Sequence, residues 1–138
     1  MNSLVKITII GFLFFLGKPV LAQQTNSSNR LICKEWRLVS FEEDDGKFEP
    51  SPDQIGDRMK LELNHKVEYV EISKYYTGMW RYDPKSKVLT ITNDHTKEKK
   101  SMKVIKLTNT DFVLEYKNEE GEPIKMYMAA VIRKNKKK

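Results

Sequence analysis

The sequence has 138 residues, a formal net charge of +6 and one cysteine. A chain of this length supports one domain, and one cysteine cannot form an internal disulfide, which excludes a two-domain protein and a disulfide-stabilised scaffold. Seven basic residues near the termini, at positions 6, 18, 133, 134, 136, 137 and 138, leave the rest of the chain at about −1, which argues against a nucleic-acid-binding protein.

The N-terminal residues 1–22 have the features of a secretory signal peptide. Lys6 provides a positive start, residues 7–16 are apolar, and the segment ends at Ala22, a small residue suited to cleavage. The alternative is a membrane anchor, but a spanning helix needs about 20 apolar residues, and this run is half that length. We therefore expect cleavage after Ala22 and no membrane span in the remaining 116 residues.

The rest of the chain divides into a polar linker at 23–30, a β-rich domain at 31–133 and a basic tail at 134–138. Cys33 does not directly follow the apolar stretch, so a lipid anchor is not expected. A lone cysteine in such a domain is most often a small buried apolar residue. These features predict a secreted or periplasmic protein.

Eight β-rich runs follow the linker, separated by turn residues at intervals typical of an all-β barrel or sandwich. In the fourth and fifth runs, Trp80 and Tyr82 share one side before a turn, and Leu89 and Ile91 share one side after it, which predicts a β-hairpin. The first residues of the first run could instead form a short helical turn that leads into the strand. The runs are 31–42, 58–64, 66–73, 78–83, 87–93, 97–108, 111–118 and 122–133.

Short connections between these runs allow sequence neighbours to pair antiparallel, as in an up-and-down meander. Eight such strands close into a barrel wide enough for side chains or one small ligand, and closure removes exposed edges. We therefore predict an all-β fold, an eight-stranded antiparallel up-and-down barrel, preceded by a helix in the N-terminal signal segment. The long acidic segment 43–57 is expected to cross or flank one open end.

Four segments resemble the bacterial secreted lipocalin-like domain of the calycin superfamily. They are "LICKEWRLVSFE", "MKLELNHKVEYV", "GMWRYDPKSKVLTIT" and "VIKLTNTDFVLEY". The resemblance implies a barrel with Trp36 at its closed end, a late Arg over that Trp, for which Arg133 is the candidate, and a small hydrophobic ligand inside. Lipocalins typically carry Gly two residues before the Trp, and this chain has Lys34 there.

The inward-facing positions provide the candidate ligand-binding residues. Aromatic and methionine side chains suit an adaptable apolar cavity, although the same residues equally suit a filled core. Glu71 shares a face with Val67 and Tyr69, and a buried charge there would need a partner and could orient a ligand. The candidates are Leu61, Leu63, Tyr69, Glu71, Trp80, Tyr82, Tyr116, Met126 and Met128.

Residues for metal or cofactor chemistry are sparse. His65 and His95 fall in predicted turns, and no zinc or phosphate-binding motif is present. The acidic run 42–46 is a weak calcium-loop candidate, but its acids are consecutive, which favours a solvated turn. We predict no metal, no cofactor and no catalytic residue.

Three functions compete at this point. The first and favoured one is an exported, monomeric binding protein for a small hydrophobic ligand, which predicts an interior void open near 43–57. The second is a solid barrel that acts as a protein-interaction or inhibitor module, which predicts a filled interior and an exposed apolar patch. The third is an enzyme, which would need two ionisable groups converging inside the cavity, and no such pair is evident in the sequence.

Overall fold

A computed structural model describes residues 21–134 of the chain. Within this range the chain forms one helix, α1, and nine strands of one antiparallel sheet. The predicted signal peptide and basic tail lie outside the described residues, except for positions 21, 22 and 134. The elements are α1 Leu21–Ile32, β1 Glu35–Glu43, β2 Gly46–Phe48, β3 Arg58–Leu61, β4 Lys66–Glu71, β5 Lys74–Asp83, β6 Val88–Asn93, β7 Lys99–Leu107, β8 Asp111–Lys117 and β9 Pro123–Ala130.

Eight of the strands close into an antiparallel barrel, which confirms the predicted fold class. Strands β3 to β8 each pair with the next strand in the chain, and β1 pairs with both β3 and β9. The β1–β9 seam runs from Trp36 opposite Ala130 to Glu42 opposite Lys125, with a register shift between Leu38 and Ser40. Closure therefore joins the first and last strands of the meander.

The hairpin predicted around residue 80 forms. Trp80 lies opposite Ile91 and Tyr82 opposite Leu89 on β5 and β6. The Asp83 carboxylate holds the intervening turn, because it accepts hydrogen bonds from the Lys85 backbone N–H (2.9 Å) and from the Ser86 hydroxyl (3.0 Å).

The segment predicted as a polar linker is instead helical and is part of α1. The helix ends against the barrel, where Ile32 is fully buried and its carbonyl accepts a hydrogen bond from the indole Nε1 of Trp36 (2.9 Å). This hydrogen bond between residues four positions apart satisfies a carbonyl at the end of the helix, and the polar composition of the segment did not predict it.

Two further differences concern strand boundaries. The three-residue strand β2 was not predicted, because all three of its residues are exposed and no apolar alternation marks it. β5 begins at Lys74, four residues earlier than predicted, because Ile72 and Ser73 form a tight turn with positive φ values of 50° and 61°.

The two ends of the barrel differ. The closed end contains Ile32, Trp36 and Phe112, each fully buried, and the two aromatic rings pack with centroids 5.0 Å apart. Antiparallel order places loop 49–57 and the turns after β4, β6 and β8 at the opposite end, which we call the mouth.

Candidate ligand-binding cavity

A cavity of about 890 Å³ occupies the barrel between the closed-end core and the mouth. Four of the six methionines in the chain line it, together with aliphatic and aromatic side chains. Because methionine is flexible and polarizable, this wall can adjust to ligands of different shape. The apolar and aromatic lining residues are Leu38, Phe41, Met59, Tyr69, Val70, Val88, Ile91, Met102, Tyr116, Ile124, Met126 and Met128.

The structure brings together five of the nine candidate ligand-binding residues. Tyr69, Glu71, Tyr116, Met126 and Met128 all line the cavity. They come from three strands, β4, β8 and β9, and each lies on the inward face that strand alternation assigns to it. Their contact with a ligand remains a prediction.

Leu61, Trp80 and Tyr82 do not line the cavity, which corrects the prediction for these three residues. Leu61 and Trp80 are each only 2% exposed within the core, and Tyr82 packs against that core. The Trp80 indole donates a hydrogen bond to the Glu62 carbonyl (2.9 Å) and packs on the His65 ring, in the β3–β4 turn at the closed end. These side chains point inward but lie too far from the mouth.

Leu63 was also predicted wrongly as a cavity residue. β3 ends at Leu61, so the alternation that assigned Leu63 to the inner face does not continue that far. Leu63 lies in the β3–β4 turn with 69% of its surface exposed.

The prediction missed several lining residues that the alternation of their strands could have identified. Met59 shares the inner face of β3 with Leu61, and Met102 shares the inner face of β7 with Val104. Both methionines line the cavity and are at least 93% buried. Gln54 and Asp57 in loop 49–57 had no such signal, because the loop carries no periodicity.

An ion pair lies at the mouth of the cavity. Lys100 Nζ contacts both carboxylate oxygens of Glu71, at 2.6 Å and 2.9 Å. The two residues line the cavity from β4 and β7, which are not neighbours in the sheet. Glu71 is thus an interior-facing charge with a partner, as its alternation with Val67 and Tyr69 indicated.

Two tyrosines contribute further polar groups to the cavity. The Tyr69 hydroxyl accepts a hydrogen bond from the side-chain amide of the buried Asn93 (3.0 Å), and the Tyr69 ring stacks on Tyr76. Burial, followed by the nearby carboxylates of Glu71 and Glu43, raises the pKa of Tyr116. The Tyr116 hydroxyl therefore stays protonated at neutral pH and can donate a hydrogen bond into the cavity.

Asp57 connects loop 49–57 to the turn after β4. Its carboxylate accepts a hydrogen bond from the Ile72 backbone N–H (2.9 Å), and its carbonyl accepts one from the Leu38 N–H (3.0 Å). Burial raises the pKa of Asp57, and the Glu71 carboxylate adds to the shift, while the hydrogen bonds from the turn oppose it. The residue is 9% exposed, so one side of the mouth depends on a buried carboxyl group.

Two solved structures resemble this barrel. A lipocalin-like protein from Bacteroides uniformis ATCC 8492 has a TM-score of 0.51 and 15% identity, over 73% of this chain and 99% of that one. A DUF4847 family protein from Bacteroides vulgatus ATCC 8482 has a TM-score of 0.52 and 12% identity, over 78% and 99%. The fold is lipocalin-like. No protein-family model and no curated protein matches the sequence.

Within this lipocalin-like barrel, the cation near Trp36 is Lys34, not Arg133 as expected. Lys34 Nζ lies 5.7 Å from the ring centroid and donates hydrogen bonds to the carbonyl and side-chain oxygens of Asn109. Arg133 contacts Glu35 at 2.7 Å. Glu35 faces the opposite side of β1 from Trp36, which places Arg133 on the outer surface.

Neither a membrane-spanning helix nor a metal-binding cluster is found among residues 21–134. This part of the lipocalin-like chain contains no helix long and apolar enough to cross a bilayer. Between residues 21 and 134, no three His, Cys, Asp or Glu side chains are grouped to hold a metal ion. Cys33 is half-buried against the core, and burial raises the pKa of its thiol.

Proposed function

We propose that this chain is an exported protein that binds a small hydrophobic ligand inside the barrel, without catalysis. The observation that carries the proposal is the methionine-lined cavity of about 890 Å³, open at the mouth. Small-molecule cavities are roughly 300–1,000 Å³, mostly apolar and provided with a few polar groups. Here the inward-facing polar groups of the strands include Glu71, Lys100 and the Tyr116 hydroxyl, and further polar side chains such as Gln54, Asp57, Asn118 and Glu119 line the cavity from the mouth loops.

The cavity supports this function over the interaction module. A solid barrel leaves no interior space, whereas here a cavity of about 890 Å³ lies between the closed-end core and the mouth. An unfilled apolar space forfeits packing contacts and weakens the fold, so a space of this size is more reasonable as a binding site than as structure.

A titration with the neutral dye Nile red tests the proposal. We expect the dye to gain fluorescence on binding, and Met126→Trp to weaken binding by more than about tenfold, because the indole fills space in the cavity. Met79→Trp is the matched control, since Met79 lies on the outside of β5 and is 44% exposed. Equal effects of the two variants, or no dye binding by the unmodified protein, would contradict the proposal.

Native mass spectrometry gives a second test that needs no added ligand. We expect the purified protein to carry a small molecule of discrete mass, which Nile red displaces. A protein that carries no adduct and also fails to bind Nile red would favour the interaction module instead.

Export is a separate part of the proposal and depends on residues 1–22. We expect the intact mass of the protein recovered outside the cytoplasm to correspond to a chain beginning at Gln23. A mass that includes Met1 would contradict cleavage without affecting the ligand-binding proposal.

A further inference from the structure

The Glu71–Lys100 ion pair offers a way to identify the chemical class of the ligand. Both side chains line the cavity, and their bond crosses the mouth between β4 and β7. A ligand that enters from solvent must pass this pair. The polar group of the ligand will then compete with Lys100 for Glu71, or with Glu71 for Lys100.

Lys100 and Glu71 differ in how easily a ligand can displace them from the ion pair. The Lys100 side chain is long and flexible, and 59% of its surface is exposed, so it can extend into water when displaced. Glu71 is shorter, is 45% exposed, and ends a strand whose following turn is held by the Asp57 carboxylate. Glu71 therefore stays at the mouth while Lys100 can move.

The charges around the pair also favour a cation in place of Lys100. The other lining cations, Arg58, Lys103 and Lys117, lie at outward-facing positions of β3, β7 and β8, so they do not replace Lys100 inside the barrel. Glu71 is close enough to Tyr116 and Asp57 to contribute to the raised pKa of each. If Lys100 were taken by an anionic ligand, Glu71 would lose its cation while still facing the Asp57 carboxyl group. If Lys100 is replaced by another cation, Glu71 keeps a partner.

We infer that the ligand carries one positively charged amine on an apolar body, and that this amine replaces Lys100 as the partner of Glu71. The apolar body occupies the methionine-lined part of the cavity. The aromatic rings of Tyr69 and Tyr116 line the same cavity, and aromatic rings attract cations and not anions to their faces. The inference rests on the proposed function and adds the charge of the ligand.

Three ligands with the same alkyl chain and different head groups test the inference. Dodecylamine, dodecanol and dodecanoate are each titrated against Nile red bound to the protein, below the concentrations at which they aggregate. We expect dodecylamine to bind about tenfold more tightly than dodecanol, because its head group forms a charge-assisted hydrogen bond. Dodecanoate is expected to bind more weakly than dodecanol.

Two variants of the pair sharpen the test. Glu71→Gln should weaken dodecylamine binding by about tenfold and leave dodecanol binding unchanged. Lys100→Met should strengthen dodecylamine binding by about threefold, because it removes the competing cation. Asp111→Asn is the matched control, since Asp111 pairs with Lys106 at 3.7 Å and does not line the cavity, and it should change neither affinity.

The possible outcomes separate this inference from the proposed function. Equal affinities for the three ligands, tighter binding of dodecanoate than of dodecylamine, or equal effects of Glu71→Gln and Asp111→Asn would overturn the inference and leave a hydrophobic-ligand carrier. Failure of all three ligands and of Nile red to bind would overturn the proposed function itself.

Discussion

The backbone packs so closely around Gly78 that there is no room for a side chain at this position. Gly78 lies in the middle of β5 between Val67 on β4 and Asn93 on β6. A Cβ atom there would overlap the carbonyl oxygen of Thr92 and lie 3.1 Å from its carbonyl carbon. Because both atoms belong to the backbone of the neighbouring strand, they cannot move aside without disturbing the β5–β6 ladder.

We therefore expect Gly78→Ala to lower the free energy of unfolding by about 1–3 kcal/mol, as measured by urea denaturation. Gly56→Ala is the matched control, because nothing lies within 4 Å of a Cβ at that position. The control should stay within about 0.5 kcal/mol of the unmodified protein. If Gly78→Ala were as stable as Gly56→Ala, the prediction would be wrong, and the backbone of β6 would be able to move away from the added methyl group.

Single residues also show how far side-chain assignments from sequence succeed. Alternation correctly put Glu71 on the inner face, because the side-chain period of two is a local property of the strand. It misplaced Leu63, because the end of β3 is set by the following turn. It also could not show that Arg133 pairs with Glu35, since these residues are 98 positions apart.

At the scale of elements, Asp57 joins loop 49–57 to the turn between β4 and β5. Ile72 in this turn has a φ of 50°, which is unfavourable for a β-branched residue. The hydrogen bond from the Ile72 N–H to the Asp57 carboxylate helps to hold this conformation. The loop and the turn should therefore loosen together.

Two substitutions separate the hydrogen bond from the charge. Asp57→Ala leaves the Ile72 N–H without its acceptor and should cost about 1–3 kcal/mol in the free energy of unfolding. Asp57→Asn keeps an acceptor oxygen and removes the buried charge, so we expect it to be less destabilising than Asp57→Ala at neutral pH. Equal losses for the two variants would contradict the hydrogen-bond role.

The raised pKa of Asp57 also predicts a pH dependence with a definite sign. The folded protein binds this proton more tightly than the unfolded chain, whose Asp has the ordinary pKa of 3.8. The contribution of the protonated Asp57 carboxyl group to the free energy of unfolding is therefore complete below pH 3.8. It is lost as the pH rises through the raised pKa of Asp57 in the folded protein. The stability of Asp57→Asn relative to the unmodified protein should increase over this range in urea titrations. A difference that decreases would contradict the direction of the shift.

Elements differ in how far the sequence predicted them. The β5–β6 hairpin and its turn were predicted, because the alternation of its aromatic and aliphatic residues and the turn at Asp83 are local signals. Strand β2 and helix α1 were missed. β2 is fully exposed and pairs only with β1, and α1 ends in the core at Ile32, whose carbonyl accepts the hydrogen bond from Trp36.

At the scale of the whole molecule, the β1–β9 seam joins the two ends of the meander. No barrel strand is then left with an unpaired edge along its whole length, and each depends on two neighbours. Breaking the seam exposes the interior of the barrel at once, so the strands should not unfold one by one.

We accordingly expect one cooperative unfolding transition. Tryptophan fluorescence reports on the closed end through Trp36 and Trp80, and far-ultraviolet circular dichroism reports on all strands. The two midpoints in urea should coincide. A ligand present at about one hundred times its dissociation constant should raise the free energy of unfolding by about 2.7 kcal/mol. Separate midpoints would indicate that the mouth and the closed end unfold independently.

The sequence alone was sufficient for the all-β class, the eight-stranded closed barrel and the inward faces of most strands, because alternation and turn chemistry are local. Only the tertiary structure decided which inward residues fill the core and which line the cavity. Trp80 and Met126 both face inward, yet one lies in the core and the other lines the cavity. Their heights along the barrel axis depend on the stagger between strands, which is set by pairing around the whole ring.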